Sequence, residues 1–254
     1  HTYEPAQPFN PVFIEKMLPF EVVRFMDMMN TNNSELQTWD DRMRTTYYSQ
    51  APGEVGIAPE YLIQLANLAD ADPWFCMPHQ ADAHYVGELA RMVKRDLDPH
   101  HQVYVEYSNE AWNGLFDVYN WLDANATGGS NHPQRYAHTA RVAFDKWHEV
   151  FGADSDRIIR VICGQTTNPW HARQATQYLG QGGFDAVGAS TYCGLSDSAT
   201  AALGNLGSSV TAADAIQATR LAWRYGSQQG HGNGRIYAIR QHANIAAEYG
   251  VPLV

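Results

Sequence analysis

Basic residues are scarce. Lysine and arginine number 17 against 27 aspartates and glutamates, a formal net charge of −10 at neutral pH. Binding to a nucleic-acid backbone relies on a basic stripe that displaces counterions, so no nucleic acid is expected as a partner. Cysteine is scarcer still. Cys76, Cys163 and Cys193 form an odd set without C-x-x-C spacing, which argues against a disulfide framework and against a zinc site built from thiolates. No apolar run approaches the roughly 20 residues that cross a bilayer, so no membrane partner is expected. Neither H-E-x-x-H nor H-x-x-x-H occurs on a helix, so His79, His84, His100 and His101 read as solvated or structural histidines, with His100-His101 a turn after Pro99. No metal and no cofactor are expected. The chain begins at His1 rather than Met, which suggests a processed product, and a secreted or extracellular location is expected although no signal peptide is visible. Asn32-Asn33-Ser34 and Asn125-Ala126-Thr127 match the glycosylation sequon, a signal that matters only in a eukaryotic secretory host.

Apolar and aromatic residues are plentiful by comparison. They make up 44% and 12% of 254 residues, enough for one sizeable core and too much for a disordered chain. Seven tryptophans and fourteen tyrosines could stack on sugar faces, but they also fill ordinary cores. Short β-branched runs alternate with stretches of helical periodicity. Strands are expected at 21–29, 73–79, 102–110, 157–165, 184–192 and from 251 onward. Helices are expected at 58–71, 81–97, 133–152, 169–180, 212–226 and 236–250. Strands separated by helices imply parallel pairing with right-handed crossovers. No Gly-x-Gly-x-x-Gly turn follows the first strand, which weakens the case for an open dinucleotide-binding sheet. Polar residues gather instead at the carboxyl ends of strands, where barrel active sites lie. The expected fold class is α/β, a (β/α)8 TIM barrel spanning residues 1–254 as a single domain. Its ligand cleft is expected among loops 29–57, 79–83, 110–132, 165–170 and 192–211.

The stretch "VYVEYSNEAWN" at 103–113 carries two carboxylates, Glu106 and Glu110, where a purely structural strand would end in turn residues. Alternation puts Val103, Val105 and Tyr107 on a helix-facing side, and Tyr104, Glu106, Ser108 and Glu110 on an inward side. Polar groups on an inward face are expensive unless hydrogen-bonded, so the row needs a reason. "YSNEAWN" resembles the end of the fourth strand of clan A glycoside hydrolases, the retaining group that includes family 5, where an Asn-Glu pair closes the strand. The resemblance implies that Glu110 is the general acid/base and that Asn109 contacts the 2-hydroxyl of the cleaved sugar. "VVRFMD" is similar to the clan's second strand, giving Arg24 the role of supporting the nucleophile. "MPHQ" puts His79 at the mouth, and "GASTY" puts Tyr192 where an aromatic holds the nucleophile. Trp112 could stack on a sugar or cover the rim; Trp39 and Trp170 are further aromatic candidates. The likeness runs through nearly the whole chain in order, but only Asn109-Glu110 has the specificity of a motif.

The chain departs from the clan in one respect. Retaining hydrolysis needs two carboxyl groups roughly 5–5.5 Å apart. The clan's nucleophile ends the strand that "VPLV" would begin, so it is expected after Val254, and the barrel is expected to be incomplete at both ends of the sequence. Glu106 is a poor substitute, because i and i+4 on one strand lie about 13 Å apart; it reads as an interior hydrogen-bonding group. Asp27 reads as a loop or capping residue. The expected function is hydrolysis of a β-linked polysaccharide or oligosaccharide, with β-glucan favoured. The alternative is a noncatalytic carbohydrate-binding barrel.

Overall fold

The structure is a computed structural model that describes residues 8–51, 53–190, 197–225 and 235–254. Two compact units divide the chain, His1–Val161 and Ile162–Val254. The strands of the first unit pair in parallel in sequence order, and the last of them runs on past Val161. The fold is α/β, as the alternation of strand and helix implies.

In the first unit, β1 (Val22–Arg24), β2 (Asp72–Met77), β3 (Val103–Tyr107) and the start of β4 (Ile158–Gly164) pair in parallel. A short helix, α1 (Pro11–Met17), precedes them, and the crossovers are α2 (Pro59–Ala69), α3 (Ala83–Asp96) and α5 (His132–Phe151). Each crossover starts where its sequence supplies a start signal. Pro59 opens α2, Asp82 accepts the Tyr85 amide at 2.6 Å at the head of α3, and Asn131 accepts the Gln134 amide at 3.1 Å ahead of Pro133 in α5. Gly152, with φ 57°, follows the last turn of α5.

The helix-facing side of the sheet holds a column of rings. Phe25 meets Phe75 at 5.6 Å between centroids, Phe75 meets Trp147 of α5 at 5.9 Å, and Trp147 meets Phe151 at 5.8 Å. All four side chains are fully buried. Val103, Val105 and Tyr107 lie on this side too, buried as alternation requires, with the Tyr107 ring 6.5 Å from Tyr136 of α5.

Among the described residues, three α-helices arise where no helix was expected. Besides α1, α4 (Asp117–Asn125) sits inside the expected 110–132 loop, and α7 (Asp197–Asn205) inside the expected 192–211 loop. The sequence hides α4 because only Val118 and Leu122 are buried, a single i, i+4 pair that makes a faint periodic signal. Strand ends are also shorter than expected. β1 stops at Arg24, and the chain turns at once, with the Met29 amide donating to Phe25 O at 2.9 Å. Asp27 is exposed in that turn.

In the second unit the end of β4 leads through α6 (Pro169–Leu179) to β5 (Ala186–Ala189), then to α7, α8 (Ala212–Tyr225) and α9 (Arg235–Glu248). Arg173 of α6 grips Glu248 of α9 through two nitrogens at 2.7 and 2.9 Å. The expected strand at the sequence end pairs beside β5: the Val187 amide donates to Pro252 O at 3.0 Å, and the Val254 amide to Val187 O at 2.8 Å, a parallel bridge.

The ring column makes Phe75 the residue whose loss the first unit should feel most, because it touches both Phe25 and Trp147. Phe75→Ala should destabilise the protein by about 3–5 kcal/mol, read as a lower urea midpoint with an unchanged slope. A loss under about 1 kcal/mol would mean that the ring column is not a cooperative part of the core.

Candidate active site

Register brings the chemistry together. Arg24, Trp74 and Tyr104 are paired across β1, β2 and β3, and Cys76 pairs with Glu106 one step further along. In a parallel sheet, residues in register point to the same side, so these five side chains share the face opposite the ring column. Trp74 and Tyr104 stack at 5.5 Å with 18° between planes, and the Arg24 guanidinium lies 5.3 Å from the Trp74 ring centroid.

Glu106 is 1% exposed, and its Oε2 carries the whole arrangement. That oxygen accepts from Arg24 Nε at 3.1 Å and Nη2 at 2.7 Å, and from Trp74 Nε1 at 2.9 Å. Cys76 Sγ adds a longer contact at 3.6 Å. Such a carboxylate survives burial because charge-assisted donors replace the water it loses. Cys76 responds in the opposite sense. Burial, reinforced by the Glu106 charge, pushes its thiol well above the usual range, so it is a weak donor and no nucleophile.

Arg24 reaches past Glu106. Its Nη2 also donates to Asn109 Oδ1 at 2.8 Å, and Asn109 Nδ2 donates to Asn32 Oδ1 at 2.8 Å. Both ends of the Asn109 amide are thereby assigned, oxygen to the cation and nitrogen to a neighbouring carbonyl. Next along the chain, Glu110 is 8% exposed and accepts from Asn113 Nδ2 at 2.9 Å. Burial raises the Glu110 carboxyl above its ordinary value; Asn113 and Arg24 pull it down, and the Glu106 charge adds to the rise.

The backbone that delivers these two residues is not the strand expected to run to 110. β3 ends at Tyr107, although the Ser108 amide still donates to Met77 O at 3.0 Å. Ser108 and Glu110 then take φ of 58° and 42°, the left-handed region that L-residues with a Cβ seldom enter. Alternation therefore holds through Glu106 and fails beyond Tyr107: Glu110 is aimed by a turn with two strained residues around Asn109. The 13 Å estimate for the separation of Glu106 and Glu110 assumed extended strand and lapses with it. Strain of this kind costs about 1–3 kcal/mol per residue and persists only where surroundings over-determine it.

His79 follows β2 and Pro78 and is 2% exposed. Both its ring nitrogens are buried without a hydrogen-bond partner, while its backbone carbonyl accepts from the Tyr107 hydroxyl at 2.8 Å. Burial lowers its pKa, against a small opposing pull from Asp117, so the ring is neutral at physiological pH. Its ring meets Trp121 edge-on at 6.0 Å. Trp112 is half-buried in the turn directly after Glu110. Trp39 is committed to packing, edge-on to Tyr85 at 5.5 Å, with the Arg42 guanidinium 4.0 Å from its centroid. Trp170 belongs to the second unit and is 53% exposed. Tyr192 lies outside the described residues.

Arg24 and Asn109 are thus hydrogen-bonded around Glu106, while Glu110 bonds to Asn113 and feels Arg24 and Glu106 through their charges. Trp74, Asn32 and Asn113 are the partners that sequence reading missed. Trp74 was detectable in principle, because alternation within β2 puts it on the same side as Cys76. Asn32 and Asn113 lie in turns that no periodicity reports. No family model, no curated protein and no solved structure matches this chain.

The arrangement can hold a proton on Glu110 at a pH where an ordinary carboxyl has lost it, beside an amide fixed on both sides. Two measurements test its electrostatics. Arg24→Met should strip Glu106 of its cation and destabilise the protein by about 3 kcal/mol, the lower end of the range for a broken buried pair because Arg24 is itself 33% exposed. For Glu110, the unfolded chain releases its proton near 4.5 and the folded chain holds it longer. The folded state therefore binds more protons in the interval above that value, and stability falls as pH rises through it. Glu110→Gln, which keeps an acceptor for Asn113, should match the parent well below pH 4.5 and become progressively more stable than it as pH rises. Urea midpoints at pH 4, 5.5 and 7 would show this; a pH-independent difference would contradict it.

Proposed function

We propose that this chain carries the acid/base half of a retaining glycoside hydrolase built on a (β/α)8 barrel, acting on β-linked polysaccharides or oligosaccharides, with β-glucan the leading substrate. The observation that carries the reading is the Asn109-Glu110 pair at the carboxyl end of β3. Its acid is made a reluctant donor by burial, and its amide is clamped between Arg24 and Asn32.

The chemistry follows from those positions. Glu110, protonated, gives its proton to the glycosidic oxygen as the bond to the sugar breaks and positive charge develops on the ring. Once ionised, it takes a proton from the water that releases the sugar. Asn109 commits one N–H to Asn32 and retains a second for a sugar hydroxyl. Arg24 acts through Asn109 and Glu106 and is a positioning residue. Glu106 is unsuited to attack the sugar, because it is 1% exposed and its charge is already engaged by Arg24 and Trp74. The attacking carboxylate is not among the residues assigned above; retaining hydrolysis requires one about 5–5.5 Å from the acid. His79 is proposed to back the mouth from beneath, its ring nitrogens being buried, and Trp112 to stack on a sugar ring.

In the full-length protein, Glu110→Gln should reduce hydrolysis of unactivated β-glucan by about 10²–10⁴-fold while oligosaccharide binding persists. Azide should restore turnover of an activated aryl β-glycoside by Glu110→Ala. A screen of glucan, mannan, xylan and galactan with product analysis would define the substrate. Near-parental activity of Glu110→Gln would defeat the assignment. Saturable binding without turnover in the parent would favour the noncatalytic carbohydrate-binding reading instead.

A further inference from the structure

The other end of the same strands holds a second cluster. Asp70 is the residue that ends α2, in left-handed conformation with φ 49°, and Asp72 opens β2. His100 and His101 lie between α3 and β3, where the His101 amide donates to Asp98 O at 3.1 Å. This is the turn expected after Pro99. The turn also draws two imidazoles and a carboxylate together: one ligating atom from each of Asp70, His100 and His101 lies within 4.8 Å of the others.

We propose that Asp70, His100 and His101 form a binding site for a divalent transition-metal ion of the zinc, cobalt or nickel type. The decisive residue is His101, only 3% exposed. Its Nδ1 lies 3.1 Å from Asp72 Oδ1, and a carboxylate there can only accept, so the ring proton belongs on Nδ1. Nε2 is then a bare lone pair. It is buried with no hydrogen-bond partner, facing Asp70 Oδ1 at 3.8 Å, beyond hydrogen-bonding range. A lone pair stripped of water and unpaired is a liability in a core but a ready ligand for a cation.

The other two donors complete the set. His100 Nε2 lies 3.0 Å from Asp70 Oδ1, and the two imidazole rings approach to 4.0 Å between centroids. Metal–ligand bonds of about 2.0–2.2 Å in a tetrahedron separate neighbouring ligand atoms by about 3.3–3.5 Å. The observed 3.0 and 3.8 Å bracket that spacing. The Asp70 and His100 side chains are 80% and 62% exposed, so both can adjust to close around an ion, and the fourth position opens to water. Two imidazoles with one carboxylate suit borderline metals and not calcium or magnesium, which prefer oxygen throughout. Asp72 supplies the outer carboxylate that commonly orients a metal-binding histidine, and is itself held by the Gln102 amide at 3.0 Å. Arg157 braces the turn, donating from Nε to His101 O at 3.0 Å and from Nη2 to Asp98 O at 3.1 Å. Occupancy would tie the end of α2 to the turn before β3, at the end of the sheet away from Glu110.

The test uses the chelator-treated protein, titrated with Co2+ while its visible d–d absorption is followed, and with Zn2+ by calorimetry. The parent should bind one ion, give the intense absorption of tetrahedral cobalt, and melt at a temperature that rises with Zn2+ concentration. His100→Gln and Asp70→Asn, both at exposed side chains and the second tolerant of left-handed backbone, should keep the fold by circular dichroism and abolish that absorption. Asp72→Asn should weaken binding by about 10–100-fold, the effect of losing an orienting partner. Failure of the parent to bind Co2+ stoichiometrically would overturn the proposal. Binding that survives unchanged in the His100→Gln/Asp70→Asn double variant would do the same.

Discussion

A single oxygen, Glu106 Oε2, is the point on which the first unit's polar face depends. A carboxylate at 1% exposure must find charge and hydrogen bonds within the protein, and each of its partners comes from a different place. Arg24 comes from β1, Trp74 from β2, and the carboxylate itself from β3. The requirement to neutralise one buried charge thus cross-links three adjacent strands on the face opposite the ring column. It also dictates where Arg24 can be. Held by Glu106, the guanidinium has a nitrogen left over for Asn109, and the Asn109 amide is oriented as a consequence. A lysine could not do this, because the shared fork needs nitrogens in a fixed plane.

Much of this was legible in the sequence, to differing depths. The parallel α/β arrangement follows from strand and helix periods that alternate cleanly, and helix limits at 59–69, 132–151 and 169–179 fall within two residues of expectation because Pro, Asn and Gly mark them. Glu106 was readable as an interior hydrogen-bonding group from alternation alone. Its partners were not, since register across strands is a tertiary property that one strand's pattern does not encode. The extent of β3 misled for a physical reason. A run of alternating residues looks the same whether the chain stays extended or turns left-handed, and side-chain pattern carries no record of φ at Ser108 and Glu110.

The two ends of the sheet illustrate a second limit. Asp70, His100 and His101 meet because a helix end and a turn are neighbours in space, separated by some thirty residues of chain. Spacing rules detect ligands that share one helix or one loop, and they are silent on ligands supplied by two. Reading His100-His101 as a turn was correct as local structure and said nothing about what the turn faces. The same holds for His79, whose burial without partners for either nitrogen emerges only when α4 and Trp121 are placed beside it.

The left-handed backbone at residue 110 bears on how the sequence can drift. At φ 42° the residue best suited to the chain is glycine, and asparagine or aspartate come next. A glutamate there is among the poorer choices, and its carboxyl is further penalised by burial. A lineage filtered for stability alone would tend to lose this side chain early, since a substitution to glycine relieves the backbone and removes a desolvated acid in one step. Glu110 is therefore a position where stability and side-chain chemistry pull in opposite directions. Were Glu110 without a chemical role, glycine or asparagine is the residue that the backbone would favour at this position.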